Sequence, residues 1–143
     1  MSSSVTAHDL GIDLKSGGEE ALFSWLVASF LMGKRIRAAT AVRAYQLIVE
    51  RGGCNTPRKL AQRPHRELVR MLGEAGYARY DESTARRLHA LSQALERDYQ
   101  GSLRHMREVT ASGEAFERRL LAFEGIGPKT AEIFMRDAAV VIG

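Results

Sequence analysis

Apolar residues recur along this chain at intervals of three and four, and no stretch alternates with period two for long. That pattern predicts helices joined by short connections, with no strands and no internal repeat. Residues 1–18 carry serines, glycines and weak periodicity, and read as an N-terminal arm or poorly ordered lead-in. Glu19 and Glu20 suit a helix N-terminus, and the helix they open places Leu22, Phe23, Leu26, Val27, Phe30 and Leu31 on one broad apolar face. It is expected to be the central helix, with Trp25 sealing its edge and Gly33 ending it.

A second helix is expected to run to about Arg51, with Ile36, Ala39, Val42, Leu47 and Ile48 inward, before Gly52-Gly53 stops it. Thr56-Pro57 places an N-cap before a proline at the first helical position, predicting a short helix to Gln62. Pro64 repeats the device for a helix whose core face is Leu68, Val69, Met71 and Leu72, closed by Gly73 and Gly76. After a loop over residues 77–81, Asp81 or Ser83 caps a helix through Arg97 with Ala85, Leu88, Leu91, Ala94 and Leu95 inward. A short amphipathic turn (Leu103, Met106, Val109) comes next. Two apolar helical runs then close the chain, Phe116 to Phe123 and Ala131 to Ile142. The fold class read from this pattern is all-α, a compact multi-helix bundle, with residues 19–143 as one domain.

The join between the last two runs is the most informative stretch. Gly125-Ile126-Gly127-Pro128-Lys129-Thr130-Ala131 sets two glycines around one apolar residue, then a proline suited to start a helix. The free N–H groups of Gly125, Gly127, Lys129 and Thr130 would form an anion site, with Lys129 adding a positive charge beside it. The pattern looks like a helix-hairpin-helix motif, which grips the DNA backbone without reading its sequence.

Composition supports an anionic partner and removes other chemistries. The net charge is +4, and between Glu20 and Glu50 stand four basic residues (Lys34, Arg35, Arg37, Arg43) and no acid. A second cluster is Arg58, Lys59, Arg63, Arg66 and Arg70. Such a basic face suits nucleic acid. Cys54 is the only cysteine, so no internal disulfide, cysteine zinc site or iron–sulfur cluster can be built from this chain. His65, His89 and His105 are scattered, with no acidic partner at ligand spacing, so no metal site from side chains is expected. The longest apolar run, residues 21–33, is too short to span a bilayer, and the first residues carry no signal-peptide pattern. The expectation is a cytoplasmic protein with no membrane partner; the pattern sets no oligomeric state.

Three stretches in this order resemble the helix-hairpin-helix DNA glycosylase superfamily, nearest to endonuclease-III-like proteins. They are Leu22-Phe23-Ser24-Trp25-Leu26-Val27-Ala28 with Leu31-Met32-Gly33-Lys34-Arg35, then Gly76-Tyr77-Ala78-Arg79-Tyr80, then the hairpin. The resemblance covers residues 19–143. It implies a six-helix-barrel-like bundle carrying the hairpin, double-stranded DNA as partner, and extrusion of a damaged base. It also implies that the hairpin carbonyls can hold a monovalent cation, with no other cofactor. Lys129 falls where bifunctional members carry the lysine that attacks the sugar C1′ as a Schiff-base nucleophile; its other reading is a phosphate contact. The family's catalytic aspartate would lie past Gly143, and Asp137 does not match it. Lys34 stands near the place of a glutamine that fills the gap left by the flipped base, and is expected on a phosphate instead, with Arg35 and Arg37. Tyr77, Arg79, Tyr80 and Asp81 either line a pocket, contact the strand or pack at a helix joint. The functions in view are a base-excision enzyme, a non-catalytic DNA-binding module on the same fold, and a helical protein–protein adaptor.

Overall fold

Helix α1, Gly18–Met32, is apolar on every side, and all ten side chains from Leu22 to Leu31 are buried. A helix of that kind belongs at the centre of a core. Trp25 does more than seal an edge: its indole is fully enclosed and its Nε1–H donates to the Phe134 carbonyl at 3.1 Å. Ser29 is tolerated there because its hydroxyl donates to the Trp25 carbonyl at 2.7 Å.

The computed structural model describes residues 5–143. A 3-10 turn, His8–Leu10, precedes α1. After it come α2 (Ala38–Tyr45), a π-helical turn (Gln46–Arg51), α3 (Pro57–Gln62) and α4 (His65–Ala75). A 3-10 turn (Ala78–Tyr80) leads into α5 (Asp81–Tyr99), succeeded by α6 (Leu103–Glu108), α7 (Gly113–Leu121) and α8 (Pro128–Ile142). The described residues contain no strand. α1 packs on α2, α6 and α8, while α5 lies across α3 and α4, and α7 folds back on α8. The all-α bundle expected from the periodicity is therefore present.

Local chemistry places the helix starts. Thr56, Ser102 and Ser112 each accept the N–H three residues ahead, at 3.1, 2.9 and 3.1 Å, capping α3, α6 and α7. Gly76, at φ +113°, ends α4 in the left-handed conformation while the Tyr77 N–H reaches back to the Leu72 carbonyl at 3.0 Å.

Other expectations are corrected. Residues 5–17 are not a loose arm: Ala7, Ile12 and Leu14 are buried in the core. The Ala7 N–H donates to the Asp137 carboxylate at 2.8 Å, and Arg136 donates to the Val5 carbonyl at 3.0 Å. The part of that lead-in at residues 1–4 lies outside the described residues. In the second helix only Leu47 and Ile48 of the expected inward set are buried; Ala39 is exposed and Ile36 and Val42 are half-buried. Arg37 is extended (ψ 141°), so the helix starts at Ala38, and its inward face is Ala41, Ala44 and Tyr45. The π turn, marked by the Gly52 N–H on the Leu47 carbonyl, inserts a residue and rotates the helical face beyond it. In the α6 turn Leu103 and Met106 are buried, but Val109 is exposed. α5 has no side-chain cap at its start; the Asp81 carboxylate accepts the adjacent Glu82 N–H at 2.6 Å.

Glu19 does more than complement its own helix. Its carboxylate accepts the Ser102 hydroxyl at 2.8 Å and the N–H groups of Leu103 and Arg104 at 2.9 and 3.0 Å, so one side chain of α1 caps α6. Glu19→Ala is expected to destabilise the protein by about 1–3 kcal/mol, because charged hydrogen bonds and two terminal N–H groups are lost together. Urea unfolding of the variant reads this directly.

One contact sets the height of the last helix over the first. Gly33, just past α1, lies against Thr130 in the first turn of α8, so closely that a Cβ on Gly33 would come 3.0 Å from the Thr130 Cα.

Candidate nucleic-acid interface

The turn between α7 and α8 is built as the sequence suggests. The Ile126 N–H donates to the Phe123 carbonyl at 3.1 Å, and the Ile126 side chain is buried as the anchor of the hairpin. Gly125 takes φ +89°, a conformation that favours glycine. It also lies where a Cβ would come 2.8 Å from Phe30 Cε2 and 3.3 Å from Arg87 Cδ. Gly127 differs: its backbone is extended, open to any residue, and a Cβ there would meet nothing within 4 Å. Pro128 opens α8, and the first backbone bond of that helix runs from the Ala131 N–H to the Gly127 carbonyl. Within the described residues, the N–H groups of Gly125, Gly127, Lys129 and Thr130 make no hydrogen bond. Unpaired amides at a helix N-terminus, joined there by the dipole, attract anions.

The side chains divide into those that face outward and those that hold the hairpin up. Lys129 is exposed, with no hydrogen bond or ion pair among the described residues. Thr130 is buried against Gly33 and its hydroxyl has no partner, so only its N–H can serve an anion. Arg35 and Arg37 are exposed. Lys34 turns the other way: its ammonium donates to the Gly125 carbonyl and lies 4.6 Å from the centre of the Phe30 ring. It is a strut under the hairpin rather than an outward phosphate contact.

Of the hairpin carbonyls, that of Gly125 accepts from the Lys34 ammonium and that of Phe123 accepts the Ile126 N–H. Elsewhere, Glu82 lies 3.2 Å from His65 and Glu108 lies 3.9 Å from His105, acidic neighbours the sequence spacing had not suggested. They remain pairs, and no group of three or more potential ligand side chains occurs among the described residues.

Two further cations belong to the site. Arg86 and Arg87 of α5 meet the Glu124 carboxylate at 3.2 and 3.7 Å, just before the hairpin glycines. Sequence reading passed over them. The available signal was helical phase: Arg87 falls three and four residues after Thr84 and Ser83, on the α5 face that looks toward the Tyr77–Tyr80 loop. Of the four residues expected at a pocket, Tyr77 and Tyr80 do share one, a cavity of about 240 Å³ whose walls also include Phe30, Lys34 and Arg87. Arg79 lies outside it over the Tyr80 ring, and Asp81 at the start of α5. Asp137 is structural, tied to the Ala7 N–H and 3.5 Å from Arg136.

Burial, and then the charge of Arg87, lower the proton affinity of Lys34 below lysine's ordinary value of 10.5. Over the pH interval between that lowered value and 10.5 the unfolded chain binds more protons than the folded one, so stability is expected to rise with pH there. Above pH 10.5 the sign is reversed. Burial raises the Tyr45 phenol to about 12 and the Tyr77 phenol higher still, so unfolded tyrosines ionise first and stability falls. Urea midpoints measured from pH 8 to 12 should pass through a maximum, and Lys34→Met should flatten the rising limb.

A buried helix ringed by others, with a glycine turn joining the last two, defines an all-helical bundle that carries a helix-hairpin-helix. The structure of the H. pylori 3-methyladenine DNA glycosylase MagIII, bound to 1,N6-ethenoadenine, is similar to it with a TM-score of 0.64 at 17% sequence identity. The match covers 94% of this chain and 62% of that one, so the chain spans less than two thirds of that glycosylase's length. The likeness shows the fold, which is the one the three sequence stretches implied. No family model matches the chain. No curated protein matches it either. No helix of the described residues is long and apolar enough to cross a membrane.

Proposed function

We propose that this protein binds double-stranded DNA in the cytoplasm, gripping the phosphate backbone with the Gly125–Thr130 hairpin. The observation that carries the reading is the row of unpaired backbone N–H groups at the start of α8, with open space above Gly127 and the Lys129 ammonium beside it. Arg35 and Arg37, exposed after α1, extend the positive surface. A fold shared with a DNA glycosylase supports the choice of DNA among polyanions. The contacts are to backbone, so the grip is independent of sequence.

Binding measured by fluorescence anisotropy is expected to weaken steeply with salt, log K falling linearly with log salt as counterions are released. Lys129→Ala should weaken binding to all duplexes alike and reduce that slope by about one. Affinity that is indifferent to salt would remove the proposal and bring forward a protein–protein adaptor.

A second reading rests on the exposure of Lys129 and its lack of a partner. The nitrogen lone pair of such an amine, held at a helix N-terminus, can add to C1′, expelling the damaged base from an intact nucleotide or losing water after addition to an abasic aldehyde, and so leave a Schiff base. Borohydride should then trap a covalent complex with abasic duplex that Lys129→Ala no longer forms. An adduct that persists in that variant eliminates the lyase role and leaves a binding module.

A further inference from the structure

Glu124 is the residue just before the unpaired hairpin amides, and its carboxylate is held from one side. Arg86 Nη1 lies 3.2 Å from its Oε2, and Arg87 Nε lies 3.7 Å from that same atom. The first contact is a hydrogen bond. The second is too long for one, so the buried Nε of Arg87 has no partner. Two guanidiniums thus converge on a single oxygen that satisfies only one of them. Both arginines stand in the second turn of α5, beside the hairpin. Arg87 Cδ is 3.3 Å from the place a Cβ on Gly125 would take. Lys34 is near enough that the charge of Arg87, after burial, lowers its proton affinity. Three cations to one carboxylate leave this corner of the hairpin with an excess of positive charge, next to amides that attract anions.

We propose that Arg86 and Arg87 form a second phosphate subsite beside the hairpin, occupied in the free protein by Glu124. The carboxylate is an internal stand-in for a backbone phosphate of the bound strand. Both anions carry a single negative charge, and both present two oxygens to a guanidinium fork. The phosphate is the better fit, because each of its two free oxygens can take one arginine, whereas Glu124 offers both arginines the same one. Arg87 Nε then gains the partner it lacks. Displacing Glu124 is easy. Its side chain is 55% exposed and that of Arg86 58%, and ion pairs so open to water hold weakly. The released carboxylate turns out into solvent. Glu124 is therefore a built-in competitor: it does not block the strand, but it lowers the affinity for every duplex alike and favours release. This regulation of the grip rests on the DNA-binding reading above.

The test is a double-mutant cycle with Glu124→Gln, Arg86→Ala and the two combined, read by anisotropy on a fully paired duplex and by titration with inorganic phosphate alone. Both side chains are more than half exposed, so the variants should fold, and thermal unfolding of the same preparations checks it. Glu124→Gln should tighten duplex binding about fivefold, the strength of a good exposed ion pair. In that background Arg86 has only phosphate as a partner, and Arg86→Ala should weaken binding about tenfold and reduce the salt slope by about one. In the native background, where Arg86 gives up Glu124 to reach the phosphate, the same change should weaken binding only about twofold. A carboxylate that merely repels DNA from a distance would make the two factors equal, and equal factors overturn the subsite. So does Glu124→Gln with no gain for either the duplex or phosphate. In both cases a loss of affinity with Lys129→Ala leaves the hairpin's grip intact. A gain for phosphate alone keeps the subsite and assigns it to free phosphate. Duplex binding that ignores Lys129→Ala yet keeps the coupling of Arg86 to Glu124 overturns the hairpin's grip and not the subsite.

Discussion

Gly127→Asp is expected to leave the folded protein as stable as before and to weaken duplex binding about 100-fold. The first half comes from the backbone. Gly127 is extended, at φ −99° and ψ −175°, so a side chain meets no conformational penalty, and the space a Cβ would enter is empty. The second half comes from the use of that space. The hairpin amides on either side are unpaired, and a phosphate that takes them up must come close to Gly127. A carboxylate there both occupies the approach and repels the phosphate, and like charges set together cost several kcal/mol, or about 100-fold. Thermal unfolding and anisotropy on the same preparation separate the two halves. Unchanged affinity would mean that the hairpin is not the grip. Gly125 cannot be used this way, because its left-handed φ and the closeness of Phe30 make any side chain there a fold defect first.

Trp25→Ala carries the largest expected effect on stability, about 3–5 kcal/mol. The indole is fully enclosed, and its removal leaves a cavity at the centre of α1 that a helix packed on all sides cannot collapse to fill. It also leaves the buried Phe134 carbonyl of α8 without the donor at 3.1 Å that it now has. The unfolding midpoint should fall by about 10 °C or more for a chain of this size. Trp25→Phe keeps most of the apolar volume and loses the hydrogen bond, so it should cost only about 1–2 kcal/mol. If the two variants are equally unstable, the bond between α1 and α8 matters more than the packing.

The hairpin was legible because its signals are local. Two glycines, an isoleucine, a proline and a lysine in consecutive positions constrain one another, and the structure places the turn, the buried Ile126 and the helix start where they point. The Thr56 cap is local in the same way. Features that depend on distant neighbours were not legible. The inward face of α2 could not be phased through a π turn that leaves no mark in composition. The lead-in at residues 5–17 looked weakly periodic because it is ordered by Asp137 and Arg136, more than a hundred residues on. Lys34 looks like an outward cation until the Gly125 carbonyl arrives beneath it from the other end of the chain. Arg86 and Arg87 join the site only because Glu124 does.

The near-contact of Gly33 with Thr130 bears on the geometry of the hairpin. Attraction alone would let α8 ride up and down on α1 as on a spring. A glycine pressed against the other helix acts as a hard stop, below which the backbone cannot go, while Trp25 and Lys34 pull from the same side. The hairpin amides are thus set at one height above Phe30 and Arg87 before any partner arrives. Under the proposed DNA grip, a phosphate landing on them would meet donors already in position, and little of its binding free energy would be spent on bringing them there.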